Sequence, residues 1–285
     1  GAIVWADATG AWFNKYALLH HGRRNEANHR LNYLRETDYV SAAVAMVPRA
    51  LFVAEGMFDV HFSPGYYEDT DLSFTVRARG LRVLYHPFAH VVHMAHSTYQ
   101  ESMDGLLRRN KHQFASKWRG QLLDHMPPCN YASACTPTTK PVYTHLAATR
   151  TYSYRILWVD MVLPEPDRDS GSVRTLTILK LLLAMRCHVS IVSVQRSGRG
   201  AHERYTRMLQ YLGVHVIPEL KLLRTRVREP YDFVIVARRD TYAAARSVLR
   251  ERYPNTLLVA DTVDLHFMRE RVRREHALER GFGLG

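Results

Sequence analysis

The sequence predicts an α/β protein, and the clearest grounds lie in its second half. From residue 155 onward, apolar segments such as RILWVDM, HVSIVSV and YDFVIVA alternate with stretches at helical spacing. Uninterrupted apolar strands separated by helices are typical of a parallel sheet covered on both faces. Gly213 and Pro254 fall where two of these helices should end. We therefore predict a doubly wound parallel sheet for residues 155–285.

The first 125 residues show a mixed pattern of short strands and helices. GAIVWAD, Gly1 to Asp7, has the pattern of a strand. In DYVSAAVAMVPRALF, residues 38–52, small side chains lead into a predicted apolar strand and then a short helix with Pro48 at its first position. LRVLYHP, residues 81–87, predicts a short buried strand, and an amphipathic helix is expected over residues 103–123.

Length and composition are consistent with two domains. The chain has 285 residues, of which 46% are hydrophobic and 23% charged, enough for two separate cores. Residues 126–154 are rich in Pro, Thr, Ser and Ala without a sustained period, which predicts a linker. Because the chain begins with Gly1 inside a strand-like segment, we treat it as an internal piece of a longer protein.

Charge and cysteine content limit the classes of function. The net charge of +12 favours an anionic partner. The arginines are scattered between acids and no nucleic-acid motif accompanies them, so we predict no specific nucleic-acid partner. The three cysteines lack CxxC spacing, which indicates reduced thiols in a cytosol-like compartment. The most apolar helical run, Thr175 to Met185, is too short to span a bilayer and predicts a buried helix.

The most informative stretch is SPGYYEDTDL, Ser63 to Leu72, which places Glu68, Asp69 and Asp71 within four positions. The residues that follow have helical spacing up to Gly80, so the three acids should lie at a helix N-terminus. Backbone N–H groups and the helix dipole stabilise negative charge there, which predicts ionised carboxylates able to accept a proton or hold a cation. A purely capping role for the acids is an equally good interpretation.

Two further segments contain candidate ligands. AHVVHMAHS follows the acidic stretch, and its His93 is a candidate metal ligand because imidazole and carboxylate commonly bind divalent metals together. A surface or packing role is the alternative, since the chain has 16 histidines. In PEPDRDSGSVR, residues 164–174, Ser170 and Gly171 open a helix and offer a hydroxyl and a closely approachable backbone, a geometry suited to phosphate or a polar sugar.

DYVSAAVAMVPRALF followed by GMFDVHFSPGYYEDTDLSFTVRARGLRVLYHPFAHVVHMAHST resembles the second half of family 2 inverting glycosyltransferases of the GT-A fold, especially those of polysaccharide and O-antigen assembly. The resemblance covers nearly all of residues 1–125. It implies that the Glu68–Asp69 pair supplies the general base that deprotonates the acceptor hydroxyl, with Asp69 preferred. It also implies Mg²⁺ or Mn²⁺ as cofactor, with His93 helping to hold the metal and the donor diphosphate.

Further substrate contacts are expected near these acids. Tyr66 and Tyr67, with Trp5 and Asp7, would line the acceptor site by stacking on and hydrogen bonding to sugar faces, and Asp71 is a further predicted substrate-binding residue. Ordinary half-buried packing is the alternative for the aromatic residues.

RILWVDMVLPEPDRDSGSVRTLTILKLL, with DTVDLHFMRER downstream, is similar to the N-terminal Rossmann-like domain of family 4 retaining glycosyltransferases of the GT-B fold. In that family this domain mostly holds the acceptor, while a C-terminal domain binds the donor. The similarity implies that Ser170 and Gly171 contact substrate.

Together these features predict a piece of a tandem glycosyltransferase of polysaccharide biosynthesis. Residues 1–125 would be the C-terminal half of a GT-A-like domain, 126–154 a linker and 155–285 a truncated GT-B N-terminal domain. The expected partners are a nucleotide-sugar donor and a glycan or lipid-linked glycan acceptor, in the cytoplasm, with peripheral membrane association left open.

The sequence departs from the family pattern because the nucleotide-binding half with its DxD motif is not among these residues. The alternative is therefore a non-catalytic glycan-binding or scaffold fragment.

Overall fold

A computed structural model describes most of the chain, and the ranges covered are residues 3–7, 10–14, 32–89, 103–126, 140–198, 200–224, 229–262 and 266–279.

The first part of the chain contains short strands and helices, with β1 paired antiparallel to β2 and β3 to β4. Their bounds are β1 Ile3–Asp7, β2 Gly10–Asn14, β3 Arg35–Glu36, α1 Arg49–Ala54, α2 Glu68–Ala78, β4 Leu84–Tyr85, α3 Met103–Lys117 and α4 Arg119–Leu122. The predicted strand at the start of the chain and the helix that begins at the acids are confirmed. Gly80, at φ 74°, follows the end of α2 as expected.

The strand predicted within residues 38–52 is wrong. The segment instead forms a 3₁₀ turn at Ala42–Val44, where the Ser41 hydroxyl accepts a hydrogen bond from the Ala43 N–H. Pro48 is the N-cap of α1 and not its first residue. Met46 is fully exposed, so this run of small apolar residues has no buried face to stabilise a strand.

The helices of the first part pack around an aromatic core. It comprises Phe62, Phe74, Phe114, Trp118 and Leu122, all buried. The Phe74 ring of α2 meets the Phe114 ring of α3 edge to face, with centroids 4.9 Å apart. This contact fixes α2, and therefore the acids in its first turn, against α3.

The predicted linker contains a helix in its described part. α5 spans Lys140–Thr149 and buries Tyr143, Ala147 and Thr149. The threonine and alanine content that indicated a linker gives no clear amphipathic period, so only tertiary packing identifies this helix.

The second half forms a five-stranded parallel sheet, as the alternation predicts. Its elements are β5 Tyr154–Asp160, α6 Ser170–Ala184, β6 Cys187–Ser193, α7 Ala201–Leu212, β7 His215–Ile217, β8 Phe233–Ala237, α8 Arg239–Arg252, β9 Leu257–Asp261 and α9 His266–Glu279. Along the sheet the strand order is β7-β6-β5-β8-β9. The chain first adds strands on one side of β5 and then on the other, so the strand order reverses between β5 and β8. Open α/β sheets commonly bind ligands at such a switch point.

Helices cover both faces of this sheet because alternate strand residues point to opposite sides. On one face Leu179 of α6 and Leu209 of α7 pack in the same buried cluster as Trp158 of β5. On the other face Leu249 of α8 lies in a cluster with Leu157 of β5.

The first part of the chain packs against this sheet unit. The Leu34 N–H donates to the Gln210 carbonyl at 2.9 Å, and Tyr33 OH lies 3.0 Å from His188 Nε2. The Phe88 ring stacks on Tyr211 with centroids 4.2 Å apart. The mixed α/β class with a parallel sheet is thus established, whereas the division into domains at 1–125, 126–154 and 155–285 stays a prediction.

The described parts of the chain include no helix with both the length and the apolar character that crossing a bilayer requires.

Candidate functional site

The loop before α2 is held in an unusual backbone conformation. Tyr66 and Tyr67 have φ values of 72° and 75°, in the left-handed region that side chains disfavour. The Nδ2 atom of Asn110, fully buried on α3, lies 2.9 Å from each of the carbonyl oxygens of Phe62, Gly65 and Tyr66, so its two N–H groups are shared among three acceptors. Each strained residue costs of order 1–3 kcal/mol, so these bonds are needed to keep the loop in place.

Asp69 is the acid whose surroundings best suit proton transfer. One oxygen accepts a bond from the Ala42 N–H at 3.1 Å and the other from the Thr70 N–H at 2.7 Å. Burial raises the pKa of Asp69 above its ordinary value, and this outweighs the backbone N–H donors, which lower it. A helix N-terminus alone would lower the pKa of Asp69, so the observed upward shift is opposite to the one predicted from the sequence. A raised pKa makes this carboxylate a stronger base when it is ionised.

Glu68 lies beside it and is half buried. Its Oε2 atom is shielded from solvent and has no hydrogen-bond partner among the described residues. Burial first, and then the neighbouring charge of Asp69, raise the pKa of Glu68. The two adjacent carboxylates therefore disfavour simultaneous ionisation, which is typical of groups that exchange protons.

Asp71, predicted to bind substrate, points elsewhere. Its Oδ1 accepts a hydrogen bond from Trp118 Nε1 at 2.7 Å, and Lys117 Nζ lies 2.9 Å from its Oδ2. Lys117 also pairs with Asp59 at 2.8 Å. Both Asp71 oxygens are thus engaged by α3 and the residue that follows it, so Asp71 joins two helices. The Tyr67 ring packs against Phe114, with centroids 5.4 Å apart.

The remaining predicted residues of this site are only partly described. Trp5 and Asp7 belong to β1, whose hairpin partner β2 lies against α3, but their side chains fall outside the described part of the structure. His93 lies outside the described residues altogether.

A second group of polar residues lies at the switch point of the sheet. Asp160 ends β5 and is buried, and burial raises its pKa. Arg238 follows β8 at φ 71° and places its guanidinium 4.0 Å from both Asp160 and Asp169. A Cβ at Gly171 would lie 3.0 Å from Arg238 Nη2, so a side chain at this position would require the arginine head group to shift. Ser170 lies beside it, exposed at the first position of that helix.

The same edge contains an ion pair from two other elements. Arg174 of α6 makes a bidentate pair with Asp261 at the end of β9, with the longer bond at 2.8 Å. Asp169 caps α6 by accepting from the Ser172 N–H at 2.8 Å. This edge of the sheet therefore presents three carboxylates and two guanidiniums, a mixture suited to hydroxyl groups more than to a polyanion.

Asp160, Arg238 and Asp261 were not predicted as site residues. Each stands directly at or after the carboxyl end of an apolar strand, in LWVD, FVIVAR and LLVAD. Because these ends share one edge of a parallel sheet, this position was the signal that could have identified them.

No protein-family model matches this sequence, and neither a curated protein nor a solved structure matches it. Function is therefore inferred from the residues and their geometry. Within the described ranges, no three His, Cys, Asp or Glu side chains are arranged to hold a metal ion, and Asp71 is committed to Lys117 and Trp118. The described carboxylates thus do not fit a metal site by themselves.

Proposed function

We propose that this chain belongs to a glycosyltransferase that moves a sugar from a nucleotide-sugar donor to a glycan or lipid-linked glycan acceptor in polysaccharide assembly. The observation that supports this most directly is the Asp69 carboxylate, oriented by two backbone N–H groups, with a pKa raised by burial.

Asp69 is the general base in this proposal. The acceptor hydroxyl oxygen forms a bond to the anomeric carbon while its proton passes to the Asp69 carboxylate. The bond from the anomeric carbon to the nucleoside diphosphate breaks with its electron pair on the leaving group, and the anomeric centre inverts. In this proposal Glu68 adds to the negative charge beside Asp69 and orients the acceptor. Tyr67, Trp5 and Asp7 remain predicted acceptor contacts, and Asp71 supports the site from within the helix pair.

The crevice at the end of β5 and β8 is proposed as the acceptor side of a second transferase module. Carboxylates accept hydrogen bonds from sugar hydroxyls and guanidiniums donate to them. Asp160 and Arg238 are the central groups, with Ser170 and Gly171 at the start of α6. In this proposal the second half has the Rossmann-like, GT-B-type role that the sequence predicts.

Mg²⁺ or Mn²⁺ belongs to the proposal through the resemblance, with His93 as a predicted ligand. When bound, such a cation neutralises the departing diphosphate. We assign no step of the reaction through it, because the described carboxylates do not form its site.

The test is an Asp69→Asn substitution in the protein expressed with its whole reading frame. Release of nucleoside diphosphate and formation of glycan product should fall about 10²- to 10⁴-fold, the usual contribution of a general base, while circular dichroism stays unchanged. Asp240→Asn is the matched control, since Asp240 also lies in the first turn of a helix, α8, and is 68% exposed. Full activity in the Asp69→Asn variant would rule out Asp69 as the general base.

A non-catalytic glycan-binding or scaffold role is the second candidate, favoured by the structural engagement of Asp71 with Lys117 and Trp118. It predicts glycan binding without any transfer, unaffected by Asp69→Asn.

A further inference from the structure

A small polar cavity lies where β3 meets the ends of α2 and α5. It is lined by Arg35, Glu36, Asp38, Arg77 and Arg150, among others. About 30 Å³ is open to the centres of water-sized molecules, which is more than the roughly 10–15 Å³ that one water needs. The cavity is separate from the acids of α2 and from the switch-point crevice.

The two carboxylates in the lining are already neutralised by other cations. Asp38, which is buried, pairs with Arg150 Nη1 at 3.1 Å and with Arg77 Nη2 at 3.3 Å, and His125 Nε2 lies 3.4 Å away. Burial alone would raise the pKa of Asp38, but His125 and Arg150 hold it down at about 2.

Glu36, the other carboxylate, pairs with two arginines that are not part of the cavity lining. Arg186 Nη2 lies 3.2 Å from one of its oxygens and Arg82 Nη1 lies 3.8 Å from the other. Neither carboxylate is therefore left to balance Arg35.

Arg35 is the cavity-lining arginine that forms no ion pair within 4.0 Å with a carboxylate of the described residues. Only 7% of it is exposed, and its Nε atom is shielded from solvent with no hydrogen-bond partner among the described residues. The guanidinium lies over the rings of Tyr85 and Tyr33, at 5.4 and 5.9 Å from their centroids. Such contacts stabilise the charge through the faces of the group, and Nε is the donor atom that is left without an acceptor.

We propose that this cavity is a binding site for a small oxyanion of the phosphate class, with Arg35 as its principal ligand. A buried guanidinium without an acceptor is unfavourable, and its planar fork matches two oxygens of a phosphate. The charges that line the cavity favour an anion, since three guanidiniums, those of Arg35, Arg77 and Arg150, line it together with two carboxylates, those of Glu36 and Asp38.

The anion would join two parts of the chain. Arg35 and Arg77 come from β3 and α2, whereas Arg150 follows α5. A bound phosphate therefore adds contacts across this junction and should stabilise the folded protein by mass action.

The first measurement is the thermal unfolding of the intact protein near neutral pH, with inorganic phosphate, methyl phosphate or chloride at matched ionic strength. We expect a saturable rise of several degrees in Tm with phosphate and none with chloride, confirmed by calorimetric titration with one site per chain. A response to methyl phosphate as well would indicate that a phosphate ester also fits. Absence of saturable phosphate binding, or an equal response to chloride, overturns the proposal.

Variants then assign the ligand. Arg35→Gln should abolish the phosphate response, and Arg35→Lys, which keeps the charge but loses the fork, should weaken phosphate affinity at least tenfold. Arg82→Gln is the matched control, because Arg82 is 65% exposed and outside the cavity lining, and it should respond as the wild type does. An undiminished response in both Arg35 variants would remove Arg35 from the site. None of these outcomes depends on transferase activity.

Discussion

His188, in β6, illustrates how burial controls the ionisation of single residues. It is 2% exposed, and the rings of His145 and His215 lie 5.2 and 6.2 Å from its own. Burial first, then the charges of these histidines and of Arg35, hold the pKa of His188 well below its ordinary 6.5, while Glu229 opposes the shift. The folded protein therefore favours neutral His188.

Stability should fall in acid because of this histidine. The unfolded chain binds the proton near pH 6.5 and the folded chain resists it, so the stabilising effect is complete above that pH and is lost below it. We expect the free energy of unfolding to fall by about 1.4 kcal/mol per pH unit below 6.5 for one such group, measured by urea unfolding. His188→Gln should flatten this slope, whereas His112→Gln, at an exposed position of α3, should not. A flat wild-type profile between pH 5 and 7 would contradict this expectation.

Asp71 allows the structural and substrate-binding interpretations to be separated. Asp71→Asn should lower the free energy of unfolding by about 1.5–3 kcal/mol, the usual range for hydrogen bonds to a charged group, because it removes the partner of Lys117 and Trp118. Asp59→Asn, which loses a more exposed bond to the same lysine, should cost about 1 kcal/mol or less. Unchanged stability with reduced acceptor binding would instead support Asp71 as a substrate ligand.

At the scale of elements, the end of α7 combines a local and a long-range requirement. Gly213 has φ 98° and closes the helix as its sequence position predicts. A Cβ at this position would lie 3.1 Å from the Leu34 carbonyl oxygen. The glycine thus also lets residue 34 lie against the helix end, which the local sequence does not reveal.

Gly213→Ala should therefore destabilise the protein on two grounds. The left-handed conformation alone costs about 1–2 kcal/mol for a residue with a Cβ, and the contact with Leu34 adds to this. Gly105→Ala in α3 is the control, because a Cβ added there would meet nothing within 4 Å, and helix propensity favours alanine there by about 0.5–1 kcal/mol. Chemical unfolding measures both, and a loss of no more than about 1–2 kcal/mol for Gly213→Ala would show that the Leu34 contact adds nothing.

At the scale of the whole molecule, Asp38 links separate parts of the chain. It pairs with Arg77 of α2 and with Arg150 after α5. The pKa of Asp38, lowered to about 2 from 3.8, means that its stabilisation is present above pH 3.8 and is lost as the pH falls through about 2.

Asp38→Asn should lower the free energy of unfolding by about 3–5 kcal/mol, because it leaves buried cations without their partner. Since these cations come from different parts, the unfolding transition should also become less cooperative, as a scanning calorimeter would detect. Asp232→Asn is the control: its pair with Arg155 lies within the sheet unit and its side chain is 33% exposed, so a loss of about 1 kcal/mol or less is expected. Equal broadening in both variants would argue against Asp38 as a link.

The α/β class, the alternating elements of the second half and the helix that begins at Glu68 followed from sequence alone. Unbroken apolar runs, helical spacing and residues such as Gly213 are local signals, because propensity and periodicity act between near neighbours in the chain. The same signals failed within residues 38–52, where a run of small apolar residues has no buried face, and over α5, whose identity depends on what it packs against.

Only tertiary structure determined the strand order, which brings Asp160, Arg238 and Asp261 to one edge. It also directs Asp71 towards Lys117 and Trp118 of the neighbouring helix region, while Asp69 accepts from the Ala42 N–H. It buries Arg35 beside a cavity whose two carboxylates, Glu36 and Asp38, pair with other arginines. Pairing, burial and desolvation depend on residues far apart in the chain, and their energies are therefore absent from any local pattern.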